Sequence, residues 1–361
     1  MKIISLVGAR PQFVKVRPIN LAISEFKSIQ HLIVNSGQHY QSNMSFDFFE
    51  ELRIPPPDFN LCIGSGSHGA QTSRAIERFE KVLDEVKPEG VIIYGDTNTT
   101  LAGSIVTSKK NIPLFHVEAG LRSKDRRMPE EVNRVVADHL SNLNFVPTSR
   151  AFLNLIEEGL KKTVIEVGDV MLDNFLQFKS EGLFDSIKNE VYGLVTLHRP
   201  SNVDDPKRLK YIISKLSMVP FKLYWPVHPR LNYEEIRELI EFTKSSNITL
   251  LQPISYLNTM RFLINARICI TDSGGLQKES FFGKIPTITV RDTTEWPETL
   301  TNGNNHLDVQ LNSSFFNELV RTGSTLAGEG NNRIDLTLFG DGKASKKIVK
   351  SIYEFISNST N

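Results

Sequence analysis

Three acidic positions lie in the stretch between residues 94 and 134. Asp96 and Glu118 each follow a short apolar run, and an acidic cluster, Glu130–Glu131, comes soon after them. Placed carboxylates can act as general acids and bases that move protons during a reaction. Each of these acids could instead cap the helix that follows it, and that alternative stays open for any one of them. Three acids converging on one edge of a sheet, with His116 and Arg122 between them, favour a functional site.

The elements that must position these acids are read from the pattern of apolar residues. If residues 90–94 and 112–117 form buried parallel strands, their carboxyl ends lie at the edge of an open α/β sheet from which functional side chains emerge. Short apolar runs alternate with helical patterns along the first half, and the alternation starts again after Gly168. This pattern predicts two Rossmann-like, doubly wound α/β domains that face each other across a cleft, the usual place for a ligand. The predicted divisions are residues 1–170, residues 171–344 and a C-terminal helix over residues 345–361.

Polar side chains also follow other predicted strands of the first half. The first strand runs into a turn at Gly8, where Arg10 precedes a helix and Lys15 lies about one turn along it. Backbone N–H groups at the start of that helix, together with both cations, could bind a phosphate, although such a turn can also be only a turn. The second strand ends at Gln38 and His39, which add polar groups at a strand's carboxyl end.

The second half places histidine, arginine and glycine at its strand ends. His198 and Arg199 follow one predicted strand, and His228 follows the next. A later strand leads into a helix start whose backbone amides could approach a diphosphate, formed by Ser273, Gly274 and Gly275. Glu279, about one helical turn further, could accept hydrogen bonds from ribose hydroxyls. The same segment could be a helix-capping box, so the residues alone leave both interpretations open.

Composition bounds the class of protein. A chain of 361 residues is long enough for two domains, and its formal net charge of +1 gives no reason to expect a nucleic-acid or membrane partner. Cys62 and Cys269 lie in apolar surroundings without metal-binding spacing, which predicts buried free thiols in a reducing compartment. The N-terminal apolar run is too short for a signal segment, so we expect a cytoplasmic protein. The chain lacks Walker A and D-x-D motifs, so we expect no metal and no cofactor.

A set of short motifs spans nearly the whole chain, and together they carry a resemblance. The motifs are G-A-R-P-Q at Gly8, G-Q-H at Gly37, G-D-T-N-T-T at Gly95, H-V-E-A-G-L-R at His116, P-E-E-x-N-R at Pro129, L-H-R at Leu197, H-P-R at His228, D-S-G-G-L-Q-K-E at Asp272, R-D-T-T-E-W-P-E at Arg291 and G-D-G-K-A-S at Gly340. In this order and combination the chain resembles the non-hydrolysing UDP-N-acetylglucosamine 2-epimerases, whose fold is the two-domain glycosyltransferase-B type.

The resemblance implies roles for individual residues. The family's catalytic positions correspond to Asp96, Glu118, Glu130 and His198, and its UDP-binding positions correspond to Arg10, His228, Ser273, Gly274, Gly275 and Glu279. It also implies catalysis without a metal or a dissociable cofactor, a homodimer, and a last helix that returns to the first domain. The implied reaction expels UDP from C1 of the sugar as the C2 proton leaves, and then adds UDP back with a proton on the other face.

Two departures from the family's common pattern affect the expected substrate. The loop Ser123–Met128 is short and basic, which puts allosteric activation by a second substrate molecule in doubt, and Trp296 replaces a frequent arginine. These features resemble relatives that epimerise UDP-2,3-diacetamido-2,3-dideoxy-glucuronate, whose carboxylate Lys124, Arg126 and Arg127 could meet, although basic loop residues are commonly only solvated. A hydrolysing epimerase, a metal-independent glycosyltransferase on the same scaffold and a UDP-sugar sensor without turnover also stay open.

Overall fold

The computed structural model describes residues 1–37, 48–184, 190–229, 231–324 and 334–359. The chain divides into two compact units, one formed by Met1–Gln177 with Leu336–Asn361 and the other by Phe178–Asp335. Each unit is built on one parallel sheet with helices, so the predicted α/β class with two doubly wound domains is confirmed.

The first unit contains a seven-stranded sheet in the order β3-β2-β1-β4-β5-β6-β7, and every neighbouring pair is parallel. Its strands are β1 (Lys2–Val7), β2 (Gln30–Asn35), β3 (Phe59–Asn60), β4 (Gly90–Tyr94), β5 (Leu114–Val117), β6 (Leu143–Val146) and β7 (Val164–Glu166). All residues of β4 and β5 are buried, as expected for central strands of a parallel sheet that is covered on both faces.

Helices follow most strands of the first unit. They are α1 (Arg10–Ser24), α2 (His68–Val86), α3 (Asn98–Lys109), α4 (Pro129–Leu140), α5 (Ser149–Glu157) and α6 (Val170–Ser180), within which the division between the units falls. Side-chain caps begin three of them, with Ser67, Thr97 and Thr148 each accepting a hydrogen bond from a backbone N–H in the first turn. Proline begins α4, where its fixed φ suits the first helical position.

The second unit contains a six-stranded sheet in the order β10-β9-β8-β11-β12-β13, again with parallel pairs throughout. Its strands are β8 (Tyr192–Thr196), β9 (Lys222–Pro226), β10 (Ile248–Leu251), β11 (Ile268–Thr271), β12 (Thr287–Thr289) and β13 (Asn305–Leu307). The accompanying helices are α7 (Pro200–Val203), α8 (Pro206–Leu216), α9 (Tyr233–Phe242), α10 (Tyr256–Ile264), α11 (Gly274–Phe282) and α12 (Ser314–Thr322). The core on one side of this sheet is a cluster of aliphatic residues around the fully buried Trp225.

The last helix, α13 (Ala344–Ser359), belongs to the first unit, where it packs against α1. The ring of Tyr353 lies 5.7 Å from that of Phe26. The carboxylate of Asp173 accepts the backbone N–H groups of Ala344 and Ser345 at 3.1 and 2.7 Å, which satisfies the start of the helix.

Several details differ from the sequence-based expectations. The predicted burial is right for Cys269 and wrong for Cys62, which is exposed two residues after β3 and has a φ of +50°. The two short strands β3 and β13 were not predicted, because runs of two and three residues carry too little periodicity to identify a strand. No helix in the described part of the chain is long and apolar enough to cross a membrane.

Candidate functional site

Each sheet reverses its strand order at one place, and several predicted site residues follow the strands that flank it. In the first unit the reversal lies between β1 and β4, and in the second unit between β8 and β11. The crevice beyond the carboxyl ends of strands at such a reversal is the usual ligand site of an open α/β sheet. Arg10 and Asp96 follow β1 and β4 closely, while His198 and Ser273 follow β8 and β11.

The turn after β1 is held against β4 by Gln12, a buried residue that the sequence analysis quoted in a motif without assigning it a role. Its Oε1 accepts the backbone N–H groups of Gly8 and Ala9 at 2.8 and 3.0 Å, and its Nε2 donates to the carbonyl of Tyr94 at 2.8 Å. One amide therefore joins both sides of the strand-order reversal. A glutamine on the buried face of an amphipathic helix is the signal that could have identified it.

Lys15 and Glu118 form a buried ion pair next to this turn. The ammonium of Lys15 donates directly to Oε1 of Glu118, and both side chains are 7% exposed. Glu118 has a φ of +67°, which is uncommon for a residue other than glycine and marks a strained position. Gly95 leaves room for the pair, because a Cβ there would lie 3.1 Å from Lys15 Nζ and 3.5 Å from Glu118 Oε1.

Asp96 is held from helix α4. Oδ2 of Asp96 accepts from Nη2 and Nε of Arg134 at 2.6 and 3.0 Å, and its side chain is 29% exposed. The Asp96 carbonyl accepts from Nδ2 of Asn133 at 2.8 Å. The capping alternative does not apply here, because Thr97 is the residue that caps α3. Asp96 is therefore a partly exposed carboxylate with a paired cation.

The two neighbouring glutamates at the start of α4 have different surroundings. Glu130 is exposed, whereas Glu131 is buried and accepts the backbone N–H groups of Ser123 and Lys124, each at 2.8 Å. Burial alone would raise the pKa of Glu131, but these N–H groups and Arg134 outweigh it and lower the pKa. Glu131 thus fixes the start of the basic loop, and Glu130 is left to face outward.

Arg122 and Arg10 are the remaining predicted residues of the first unit that the structure describes. The guanidinium of Arg122, 4% exposed, pairs with Asp138 and Glu158 at 2.7 Å each. The guanidinium of Arg10 stacks over the ring of Phe48 at 4.6 Å, at the start of α1. Gln38 and His39 lie outside the described residues.

In the second unit, Asp272 organises the ends of β8 and β11. Its fully buried carboxylate accepts the backbone N–H groups of His198 and Arg199 at 3.0 Å each, and it lies 3.1 Å from Nδ1 of His198. Burial would raise the pKa of Asp272, but the hydrogen bond and charge of His198 and the other donors lower it. The ring of His198, whose side chain is 34% exposed, stacks on that of His228 at 5.0 Å. Asp272 thereby fixes Nδ1 of His198, and the other ring nitrogen, Nε2, does not face Asp272.

Helix α11 begins with the glycines that the sequence analysis selected. Ser273 caps it by accepting from the backbone N–H of Leu276 at 3.3 Å, so the capping interpretation holds for this hydroxyl. Gly274 cannot carry a side chain without displacement, because a Cβ would lie 2.6 Å from Oε1 of Glu295. Glu279 is buried, and its Oε1 accepts from the hydroxyl of Tyr256 at 2.7 Å.

Comparison with known proteins identifies the family. A family model described as UDP-N-acetylglucosamine 2-epimerase matches residues 21–353. A UDP-N-acetylglucosamine 2-epimerase homolog of Methanococcus maripaludis is 43% identical over 352 residues, covering 93% of this chain and 98% of that protein. The UDP-2,3-diacetamido-2,3-dideoxy-D-glucuronate 2-epimerase of Pseudomonas aeruginosa is 40% identical, covering 97% of this chain and 99% of that protein.

A solved structure indicates the same family. The crystal structure of Methanocaldococcus jannaschii UDP-GlcNAc 2-epimerase in complex with UDP-GlcNAc and UDP matches with a TM-score of 0.83 at 38% identity, covering 98% of this chain and 100% of that chain. Fold and matches together define an isomerase that acts on a nucleotide sugar. The chain belongs to the UDP-N-acetylglucosamine 2-epimerase family.

Proposed function

We propose that this chain interconverts UDP-N-acetylglucosamine and UDP-N-acetylmannosamine by inverting the configuration at C2 of the sugar. Family membership supports the reaction class, and the match to an archaeal enzyme solved with UDP-GlcNAc and UDP supports the substrate. The observation that carries the proposal is the placement of Asp96 and Glu118. They follow the neighbouring parallel strands β4 and β5, and each forms an ion pair with a cation from a helix.

The chemistry explains why a site of this kind needs several acids. The C–H bond at C2 is not acidified by an adjacent carbonyl, so direct removal of the proton is difficult. Elimination solves this difficulty: the C2–H and C1–O bonds break, a C1=C2 double bond forms, and UDP leaves with the electron pair of the C1–O bond. Addition of UDP to C1 and of a proton to the opposite face of C2 then gives the epimer, with no net oxidation. One face requires a base and the other an acid.

We assign the acid and base roles to Asp96, Glu118 and Glu130. The Lys15 ammonium and the Arg134 guanidinium hold Glu118 and Asp96 in fixed positions and stabilise their negative charge. A pre-organised carboxylate loses little freedom when the reaction begins, which is the property that an acid–base residue needs. Glu130, exposed at the start of α4, is the third member of the set.

We assign UDP binding to the start of α11, together with a set of histidine, arginine and lysine side chains. Backbone N–H groups of Ser273, Gly274 and Gly275 stand at the N-terminus of a nine-residue helix, where a diphosphate is stabilised. His198 and His228 can stabilise negative charge on the departing diphosphate, and His198 is fixed for that purpose by Asp272. Arg10, Lys15 and Arg199 extend the cationic set, Glu279 is assigned to the ribose, and Gln38, His39 and Arg122 complete the proposed binding residues.

The alternative substrate is UDP-2,3-diacetamido-2,3-dideoxy-glucuronate, and the relative from Pseudomonas aeruginosa supports it. A uronate would need excess positive charge near C6. The basic loop contributes Lys124 and Arg126 to a cavity of about 330 Å³, but the same cavity is lined by Glu131, Glu157 and Glu158. Because these carboxylates offset the cations, the loop offers no clear excess of charge for a uronate, which favours the uncharged N-acetylhexosamine.

Deuterium incorporation tests the proposed function. Incubation with UDP-GlcNAc in D2O should place deuterium at C2 and accumulate UDP-N-acetylmannosamine, followed by proton NMR, while the glucuronate analogue is tested in parallel. The Asp96→Asn variant should bind UDP but lose exchange, whereas a sensor would show no exchange in the unmodified protein. Accumulation of free N-acetylmannosamine would indicate a hydrolysing epimerase, and sugar transfer to an acceptor would indicate a glycosyltransferase. Absence of exchange with every UDP-N-acetylhexosamine would contradict the proposal.

We also propose that the chain forms a homodimer, on the strength of its family resemblance. Light scattering coupled to gel filtration should give twice the chain mass of 40.8 kDa. A single chain mass at micromolar concentration would contradict the proposed assembly and leave the proposed reaction unaffected.

A further inference from the structure

A fully buried histidine lies behind the two strand ends that carry Asp96 and Glu118. His116 is in β5, and its Nδ1 lies 2.7 Å from Oδ1 of Asp138 on α4. Its Nε2 lies 2.8 Å from the backbone carbonyl oxygen of Gly95. A carbonyl oxygen has no hydrogen to donate, so Nε2 must carry a proton to make its bond.

The partner of the other nitrogen is a carboxylate whose second oxygen is already occupied. Oδ2 of Asp138 accepts from the backbone N–H of Gly120 at 3.2 Å and from Nη1 of Arg122 at 2.7 Å. The positive charge of Arg122 and the N–H of Gly120, both directed at this carboxylate, favour its ionised form. An ionised carboxylate only accepts, so Nδ1 of His116 must also carry a proton.

The charges of Arg122, Asp138, Glu158 and His116 balance when His116 is an imidazolium; Nδ1 of His139 also lies 3.9 Å from Oε2 of the partly exposed Glu158. Arg122 pairs with both Asp138 and Glu158, which supplies one cation for two carboxylates. A second positive charge on His116 makes the group of four side chains neutral. Buried charges are tolerated when they are paired and hydrogen-bonded in this way.

Both bonds from this pair reach the turns that carry the acids. Gly95, whose carbonyl His116 holds, directly precedes Asp96 and has a φ of +61°. Gly120, whose N–H Asp138 holds, lies two residues after Glu118 and has a φ of +81°. The pair therefore fixes the backbone just before Asp96 and just after Glu118.

We propose that His116, held as an imidazolium by Asp138, is a positioning residue for the epimerisation. It fixes the carbonyl before Asp96, while Asp138 fixes the turn after Glu118, so that both carboxylates keep the geometry that proton transfer needs. The kinetic part of this inference rests on the proposed function. The protonation state of His116 does not, and it can be measured without any substrate.

A second histidine of the same sheet serves as an internal control. His31, in β2, places Nδ1 2.9 Å from Oδ1 of Asn20 and Nε2 2.8 Å from the hydroxyl of Ser5. A hydroxyl can donate, so one nitrogen of His31 can accept and the ring can be neutral. Burial lowers the pKa of His31 to about 4. The two histidines should therefore differ in charge at the same pH.

Nitrogen NMR of the full chain, with its histidine rings labelled, tests the charge state. At pH 8 both ring nitrogens of His116 should give protonated shifts, whereas His31 should show one protonated and one unprotonated nitrogen. Single variants assign the signals, and the wild-type spectrum decides the matter even where a variant folds poorly. An unprotonated ring nitrogen on His116 would overturn the inference.

Kinetics of Asp138→Asn and His116→Asn test the positioning role, with His31→Asn as the matched control. Misplacing a reacting group by about 1 Å can cost about 10²-fold, so kcat should fall at least about tenfold in both variants with KM changed by less than about threefold. His31→Asn should stay within about twofold. Asp138→Asn combined with His116→Asn should be little slower than either single variant, because the pair acts as a unit. Folded variants that keep wild-type kcat, or an equal loss in the control, would refute the positioning role. An inactive wild-type protein would instead contradict the proposed function.

Discussion

In both sheets the strand order reverses between two parallel strands, and an aspartate follows one of those strands. The surroundings of that aspartate, and its role, differ between the two sheets. Asp96 uses one oxygen for a single cation, Arg134, and its side chain stays 29% exposed. Asp272 accepts from the backbone of two residues and from two side chains, and its side chain is fully buried. We propose that the first carboxylate takes part in the chemistry, whereas the second stabilises the structure. The position of an acid in the fold therefore does not decide its role, whereas the number of donors around it does.

Helices supply the cations in the first unit, and the strand end itself supplies the cationic group in the second. Lys15 comes from α1 and Arg134 from α4, so two elements must dock correctly before Glu118 and Asp96 are paired. His198 follows β8 directly and is fixed by the aspartate at the end of the adjacent strand β11. The acid–base function that we propose for the first unit thus depends on helix packing, and the UDP-binding function of the second depends on sheet register.

Removing an acid from the first reversal should have the largest effect. We expect Glu118→Gln to lower the rate of deuterium incorporation by about 10²–10⁴-fold, because a positioned acid or base typically contributes that much. Binding of UDP, measured by calorimetry, should fall much less, because Glu118 is not among the residues that we assign to UDP and a glutamine there can still accept from Lys15. Glu77→Gln, an exposed change on α2, is the control. Normal turnover by the Glu118 variant would show that Glu118 is not needed as an acid or base. The proposed functional difference between the acids of the two units would then be lost.

Removing the charge from the second reversal should have the next largest effect, and it should be partly structural. Asp272→Asn should lower the free energy of unfolding by about 1–3 kcal/mol, the usual value of hydrogen bonds to a charged group. It should also lower kcat by about 10–100-fold, because His198 loses the partner that orients it. Asp205→Asn, which retains a capping residue at the start of α8, is the matched control.

The pH dependence of that variant follows from the direction of the pKa shift. The pKa of Asp272 lies below its ordinary value of 3.8, so its contribution to stability is complete above that pH and is lost as the pH falls through the lower, folded value. The difference in unfolding free energy between wild type and Asp272→Asn should therefore be constant near neutrality and shrink in acid. A difference that grows as the pH falls would show that Asp272 is not stabilised as a carboxylate.

Releasing the loop clamp in the first unit should have a smaller effect. Glu131→Gln weakens the two bonds to the backbone of Ser123 and Lys124 and the pair with Arg134, so we expect a loss of a few-fold in kcat. Hydrogen exchange of those two amides should become faster. Glu157→Gln, an exposed change that lines the same cavity, should affect neither measurement. Unchanged amide exchange in the Glu131 variant would show that the loop is fixed by other groups.

Sequence patterns predicted the α/β class, the two parallel sheets and the strand ends, because long apolar runs and their alternation reflect burial directly. They could not separate Glu130 from Glu131, since which of two adjacent glutamates turns inward depends on the loop that folds over α4. They also missed the roles of Gln12, Arg134 and Asp138, whose partners lie 82, 38 and 22 residues away in the chain. Contacts over such separations follow from tertiary packing, which local periodicity does not encode.

The smallest effect should come from the basic loop, because the charge of Arg127 is exposed to solvent whereas the ion pair of Lys15 and Glu118 is buried. Arg127 pairs with Asp125 at 2.8 Å, but its side chain is 91% exposed, and exposed pairs contribute about 0–1 kcal/mol. Arg127→Ala should leave turnover of UDP-GlcNAc within about twofold, in contrast to changes at the ion pairs of Glu118 and Asp96. The same variant should raise KM for the glucuronate analogue only if that loop meets a uronate. A selective rise for the analogue would therefore reverse our preference between the two substrates, because it would show that this solvated cation finds a partner in the bound sugar.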